Sequence, residues 1–198
     1  MPVYGPYTAG TVTAAAWTAD SGTKVDALAT TDSNYLRHVA TSPTGTIIAK
    51  NISASIAAGD VIDGIVVIIT DSLDQDGILD PPDRTITLAA RLTKDGTTEV
   101  GSEWSATVAS EADHALGLAT DLWGTTWSVA QINSANFGVI FDYTSDDPVA
   151  EPIKTNRVQF YIYTSTGVTP SPITVLGSRW RRIPDVCTDS AKRAKVSK

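Results

Sequence analysis

Two histidines, a single cysteine and a scatter of acidic side chains are the obvious chemical resources of this 198-residue chain. A histidine acting as a general base needs a partner that fixes its tautomer and a nucleophile within reach. His38 lies in "NYLRHVAT" and His114 in "EADHALGL", and neither has such a partner at a recognisable spacing. Both therefore read as surface or satisfied strand residues. No G-x-S-x-G, P-loop, H-E-x-x-H or dinucleotide fingerprint occurs. Acidic residues are plentiful, yet none stands out as a catalytic pair. The stretch "SLDQDGILDPPD", Ser72 to Asp83, sets oxygens at Ser72, Asp74, Asp76, Asp80 and Asp83 around Gly77, in partial imitation of a calcium loop. Serine holds the first ligand position, aspartate replaces the bidentate final glutamate, and Pro81-Pro82 interrupts it, so a solvated turn between strands is expected. Lone Cys187 can form neither an intrachain disulfide nor a cysteine-rich zinc site. The expectation is a protein with no catalytic residues, no cofactor and no metal.

The composition moves the fold toward β-structure. Thr, Ser, Val and Ile dominate over the helix formers Glu, Lys and Leu, and β-branched residues suit pleated, half-buried surfaces. The start "MPVYGPYTAG" carries no secretory pattern, and the strongest apolar run, Ile65 to Ile69, is too short to span a bilayer. A soluble protein made in a cytoplasm, without membrane contact, is expected. The net charge of -7 is unevenly spread. From Arg179 onward seven basic residues face two acidic ones, giving +5 and leaving -12 for residues 1–178. An acidic body disfavours nucleic acid as its partner, and only the basic tail suits one.

Periodicity locates the strands. "TIIAKNI" (46–52) and "VIDGIVVIIT" (61–70) are two β-branched runs separated by Gly59-Asp60. "RTITLAARL" places Ile86, Leu88, Ala90 and Leu92 on one face. The turn "KDG" then leads to "WSATV", where Trp104, Ala106 and Val108 share a side, which makes a hairpin. Phe137, Val139, Phe141 and Tyr143 share another face. In "TNRVQFYIYT", Val158, Phe160 and Ile162 oppose Gln159, Tyr161 and Tyr163 in a strand over about residues 156–164. Closely spaced strands with one helix signal predict an all-β, antiparallel two-sheet sandwich, jelly-roll-like, with one short helix and an extended C-terminal arm. Residues 1–9 read as an N-terminal arm, 10–165 as the sandwich and 166–198 as a basic extension.

The helix signal lies within "DLWGTTWSVAQINSANFGVIFDY". Ser128 and Gln131 are spaced as a capping box, with Trp127 and Ile132 placed as a hydrophobic staple. Asn136 or Gly138 is expected to end the helix in a left-handed conformation. A buried tryptophan contributes at most about 5 kcal/mol, from roughly 200 Å² at about 25 cal/mol per Å², against about 1 kcal/mol for an N-cap. Trp123 and Trp127 therefore read as the packing of a joint more than as a sugar-stacking pair.

In the order and spacing of these residues the chain resembles a β-sandwich domain common among structural proteins of tailed bacteriophages. The most specific matches are Leu122-Trp123-Gly124, Trp127, Ile132-Asn133 and Phe137-Gly138-Val139, within a similarity over about residues 10–165. The loop "LGLAT" before Asp121 departs from that pattern. The resemblance implies a non-enzymatic virion component, assembled in the host cytoplasm, in the tail or neck region or decorating the capsid. Its partners would be other virion proteins and further copies of itself. Tyr4, Tyr7, Arg179, Trp180, Arg181 and Arg182 are the expected partner-binding residues, as aromatic anchors and neighbouring cations. The alternative is a carbohydrate-binding module used in host adsorption, as five tryptophans allow sugar stacking. A hydrolase would need a nucleophile and base that the chain does not display.

Overall fold

The computed structural model describes residues 1–30, 34–38, 45–73, 86–108, 110–145 and 153–167. Residues Met1–Gly167 form one compact unit of two antiparallel sheets. Sheet A runs β3 (Trp17–Ala19), β4 (Leu36–His38), β11 (Ile153–Thr166), β6 (Asp60–Leu73), β9 (Ala112–Leu116), and β1 (Val3–Thr8) also pairs with β11. Sheet B runs β2 (Thr11–Thr13), β5 (Ile47–Lys50), β10 (Gly138–Ser145), β7 (Ile86–Thr93), β8 (Glu99–Val108). From β5 onward the chain crosses repeatedly between the sheets, the jelly-roll-like habit. Among the described residues no helix is long and apolar enough to cross a membrane.

Alternation explains the layering. Ile65, Val67 and Ile69 of β6 and Val158, Phe160 and Ile162 of β11 turn inward from sheet A, against Leu88 and Leu92 of β7 and Val139, Phe141 and Tyr143 of β10. Two runs of aromatic contacts lie in this core. Trp127 meets Phe137 at 5.3 Å, Phe137 meets Phe160 at 5.9 Å, and Tyr143 meets Phe141 at 6.1 Å and Trp17 at 5.6 Å. The expected β7–β8 hairpin is present, with Ala90 opposite Trp104 and Leu88 opposite Ala106.

Two short helices occur among the described residues, where sequence predicted one. The expected helix, α2 (Val129–Ile132), has its full capping box: the Gln131 amide donates to Ser128 Oγ and the Ser128 amide to Gln131 Oε1. It ends at Asn133 in right-handed geometry, so neither Asn136 nor Gly138 is its left-handed terminator. The Asn133 side chain instead bonds both backbone groups of Ile56, at 3.0 and 2.9 Å, and ties the helix to the loop before β6. The second helix, α1 (Lys24–Ala27), starts with a Thr23–Asp26 capping box in which aspartate does the work more usual for glutamate or glutamine.

The tryptophan corner joins the two sheets through one carboxylate. Asp121 accepts the Trp104 indole N–H from β8 at 2.8 Å and the Trp123 backbone N–H at 2.7 Å. The Trp123 indole in turn donates to the Ile65 carbonyl of β6 at 2.9 Å, while its own carbonyl accepts from Ser102 of β8 at 2.7 Å. Trp123 adopts φ 58°, a conformation such a residue takes only under strong local constraint. Gly101 is required opposite it: at φ 78°, a Cβ there would stand 1.9 Å from the Trp123 oxygen.

Candidate binding face

The described residues bring together one surface with the makings of a site, and β11 is its axis. This strand is central in sheet A, with β6 along one side and β4, then β1, along the other. An irregularity between Thr155 and Arg157 resets its alternation, after which Arg157, Gln159, Tyr161, Tyr163 and Ser165 all point outward and remain half-buried. Side chains two apart on a strand stand roughly 7 Å apart, so this row extends about 27 Å. Register adds neighbours on the same face: Val66 opposite Tyr161, Ile68 opposite Gln159, and Val3 of β1 opposite Tyr163.

A lip stands over part of this floor. After β9 the chain continues beside β6, with the Ile65 amide donating to the Asp121 carbonyl at 3.0 Å. Gly64, the partner of Tyr163, has no room for a side chain because a Cβ would lie 2.2 Å from the Ala119 backbone. The Leu118–Ala119 backbone thus rides on the outer face at the tyrosines, and Leu118 is 58% exposed.

Polar groups mark both ends of the row. Arg157 donates to Thr70 Oγ1 at 3.0 Å and pairs with Asp113, whose carboxyl also accepts from Thr70. Those bonds hold Asp113 below the usual carboxylate range. At the other end Ser165 donates to Asp63 at 3.1 Å. The arrangement can stack apolar ligand faces on two rings, offer phenol, amide and hydroxyl hydrogen bonds, and exclude water with Val66 and Ile68. Among the described residues no group of three or more His, Cys, Asp or Glu is placed to hold a metal ion.

Three other places hold polar or open structure. Asp71 and His114 meet inside sheet A, with His114 Nε2 2.9 Å from Asp71 Oδ1. On the outer face of sheet B, Arg91 pairs with Glu99 at 2.6 Å and Glu103 at 3.1 Å. Asp142 lies beside them, its carboxyl pushed up by burial and by those glutamates. A cleft of about 610 Å³ lies between residues 56–62 and the start of α2, with Trp127 and Asn133 in its lining.

The residues singled out in sequence are distributed otherwise. Tyr4 and Tyr7 both belong to β1, in residues 1–9, and lie opposite Ile162 and Phe160. Each is half-buried against the core, and the Tyr4 hydroxyl donates to Asp60 at 3.0 Å, which raises its pKa. Arg179, Trp180, Arg181 and Arg182 lie outside the described residues, as do residues 74–83 of the acidic stretch and the extension from 168. Trp123 is fully buried and Trp127 8% exposed, so that pair offers no sugar-stacking platform. Sequence periodicity had placed Tyr161 and Tyr163 on one face of their strand. The signal that was missed is the apolar content of β6 on both of its faces, which asks for a second covering layer.

No family model matches the chain, and no curated protein matches it in sequence. Among solved structures it is similar to xylanase 10C (mutant E385A) from Cellvibrio japonicus in complex with xylopentaose, at TM-score 0.38 and 9% identity over 81% of this chain. The chain spans 28% of that enzyme's length. It is also similar to the family 11 carbohydrate-binding module of the cellulosomal cellulase Lic26A-Cel5E of Clostridium thermocellum, at TM-score 0.36 and 9% identity over 83% of this chain and 87% of that one. The xylan-binding module CBM15 gives TM-score 0.33 and 12% identity, over 77% and 96%. The fold assignment rests on the strand pairing itself: two antiparallel sheets packed as a β-sandwich.

Proposed function

We propose that this chain is a non-catalytic binding module and that it holds an extended carbohydrate chain along β11 on the outer face of sheet A. The observation that carries this reading is the outward row Gln159, Tyr161, Tyr163, Ser165. Two aromatic rings at alternate positions on a rigid central strand give pyranose faces something to stack on, and the flanking amide and hydroxyls suit sugar hydroxyls. Such a face needs no reacting group. Screening the intact chain against an array of plant, fungal and bacterial-surface glycans tests it. Binding to extended glycans, abolished in a Tyr161→Ala/Tyr163→Ala variant that melts like the parent, supports the reading. Binding untouched by those changes, or no binding to any glycan, ends it.

A second reading is favoured by a different property of the same face. Val3 and Val61 are 52% and 51% exposed, Leu118 is 58% exposed, and Val66 and Ile68 add apolar area between them. That aliphatic character suits a protein partner, as expected of a virion subunit in the tail, neck or capsid surface that binds neighbouring subunits and its own copies. Proteomics of purified phage particles encoding this chain, together with light scattering, tests it. The chain present in particles and self-associating through sheet A supports this reading, and particles lacking the chain contradict it.

A further inference from the structure

Asp71 and His114 take no part in the binding face and add nothing to the apolar core, yet they are held together at its edge. Asp71 faces inward on β6, paired in register with Thr155 of β11 and Ala112 of β9. His114 faces inward on β9, opposite Ile69. The Asp71 carboxyl is wholly buried, the imidazole is 13% exposed, and Nε2 and Oδ1 are 2.9 Å apart. Because β9 is bonded, among the described residues, to β6 alone, the pair forms only when β9 docks.

We propose that docking of β9 moves one proton from His114 to Asp71, so that two groups separately charged in water are buried as a single neutral hydrogen-bonded pair. The His114 Nε2–H bond breaks and the Asp71 Oδ1–H bond forms, His114 keeps its proton on Nδ1, and no proton is exchanged with solvent. Burial favours this form. Tyr143 of β10, whose hydroxyl lies 2.7 Å from Thr155 Oγ1 of β11, pulls the Asp71 carboxyl the other way, and burial outweighs it. Asp113 of β9 and Arg157 of β11 bond each other, and the Arg157 guanidinium also donates to Thr70. His38 of β4 packs against Trp17, the ring that also meets Tyr143. Arg157 spends its charge on Asp113 and Thr70, and a charged Asp71–His114 pair would forfeit most of its hydration. Burial pushes Asp71 up to about 7 and pulls His114 down, so each shift favours the neutral form of its group.

The consequence is a compensation that either partner alone lacks. Between roughly pH 4.5 and 6.5 the undocked pair holds its one proton on His114 and the docked pair holds one on Asp71, so opening of β9 does not depend on pH. In His114→Gln, Asp71 must take its proton from solvent. The raised folded value makes that contribution complete below the ordinary carboxylate range and lost as pH rises to about 7. Opening then grows about tenfold per pH unit between about 5 and 7. In Asp71→Asn, His114 must release its proton on docking, so opening grows about tenfold per unit as pH falls below about 6.5.

The test is amide hydrogen exchange of residues 112–116 in the whole chain, corrected for intrinsic rates, from pH 5 to 7, in the parent and both variants. It is joined by the nitrogen chemical shifts of His114 in the parent at pH 6. A level profile in the parent, opposite slopes in the variants and an unprotonated Nε2 are expected. A parent that slopes like either variant, or an imidazolium at His114, overturns the proposal. Should a variant fail to fold, the nitrogen shifts of the unsubstituted chain decide it.

Discussion

The two sheets finish their outer faces in opposite ways. On sheet B, β7 and β8 present Thr87, Arg91, Glu103, Ser105 and Thr107, and Arg91 is held between two glutamates beside Asp142. On sheet A, β11 and β6 present Tyr161, Tyr163, Val66 and Ile68, with Val3 and Val61 exposed at the margin. Both sheets bury aliphatic and aromatic inner faces, so core formation does not account for the difference. An antiparallel sheet in contact with water ordinarily alternates apolar inside with polar outside, as β7 and β8 do, with Ile48 of β5 and Ile140 of β10 the apolar exceptions on the outer face of sheet B. A sheet with β-branched and aromatic residues on both faces is made to be covered twice. The first cover is the sandwich core; the second, on this account, is the ligand.

The contrast can be broken or sharpened at decreasing cost to the molecule. The largest effect belongs to the corner that both sheets share. Trp123→Ala removes a fully buried indole together with its bond to β6, and should destabilise the fold by about 3–5 kcal/mol in urea denaturation, with the faces lost together. A variant of near-parental stability would show that the sheets are joined elsewhere. Next come the rings. Tyr161→Ala and Tyr163→Ala should each weaken glycan binding about tenfold, on the order of 1.4 kcal/mol, with little change in melting temperature, whereas Glu103→Gln on sheet B should leave affinity unchanged. Equal losses from both faces would erase the distinction.

Smaller still are the effects on association. Ile68→Lys should raise the concentration at which the chain self-associates, as seen by light scattering, while Thr87→Lys on the opposite sheet should not. The smallest effect belongs to the ion pairs of sheet B. Arg91→Ala removes contacts to two exposed glutamates and should lower the denaturation midpoint only slightly, and less in high salt, measured by denaturation at two ionic strengths.

What could be read in the sequence follows from how each feature is encoded. The β7–β8 hairpin, β10 and β11 are long enough for their period of two to be counted, and the Ser128–Gln131 cap is a local motif. β2, β3 and β4 span three residues each, too few for any period, and β1 is interrupted at Gly5-Pro6, where its register with β11 shifts. Helix α1 escaped because Asp26 stands where glutamate or glutamine is usual. The candidate face was half legible: alternation set Tyr161 and Tyr163 opposite Val158, Phe160 and Ile162, but which of two faces becomes the core is decided by packing, not by period. The Asp71–His114 pair was not legible at all, since its members meet only through the register of β6 with β9.

The claim that sheet A carries the working surface is tested most directly by mapping backbone and side-chain chemical-shift changes across the intact chain during titration with the oligosaccharide that binds best on the array. Changes confined to Gln159, Tyr161, Tyr163, Ser165 and their neighbours on β6 and β1 are predicted. Changes centred on Arg91 and Asp142, or on the cleft beside Trp127, would contradict the account.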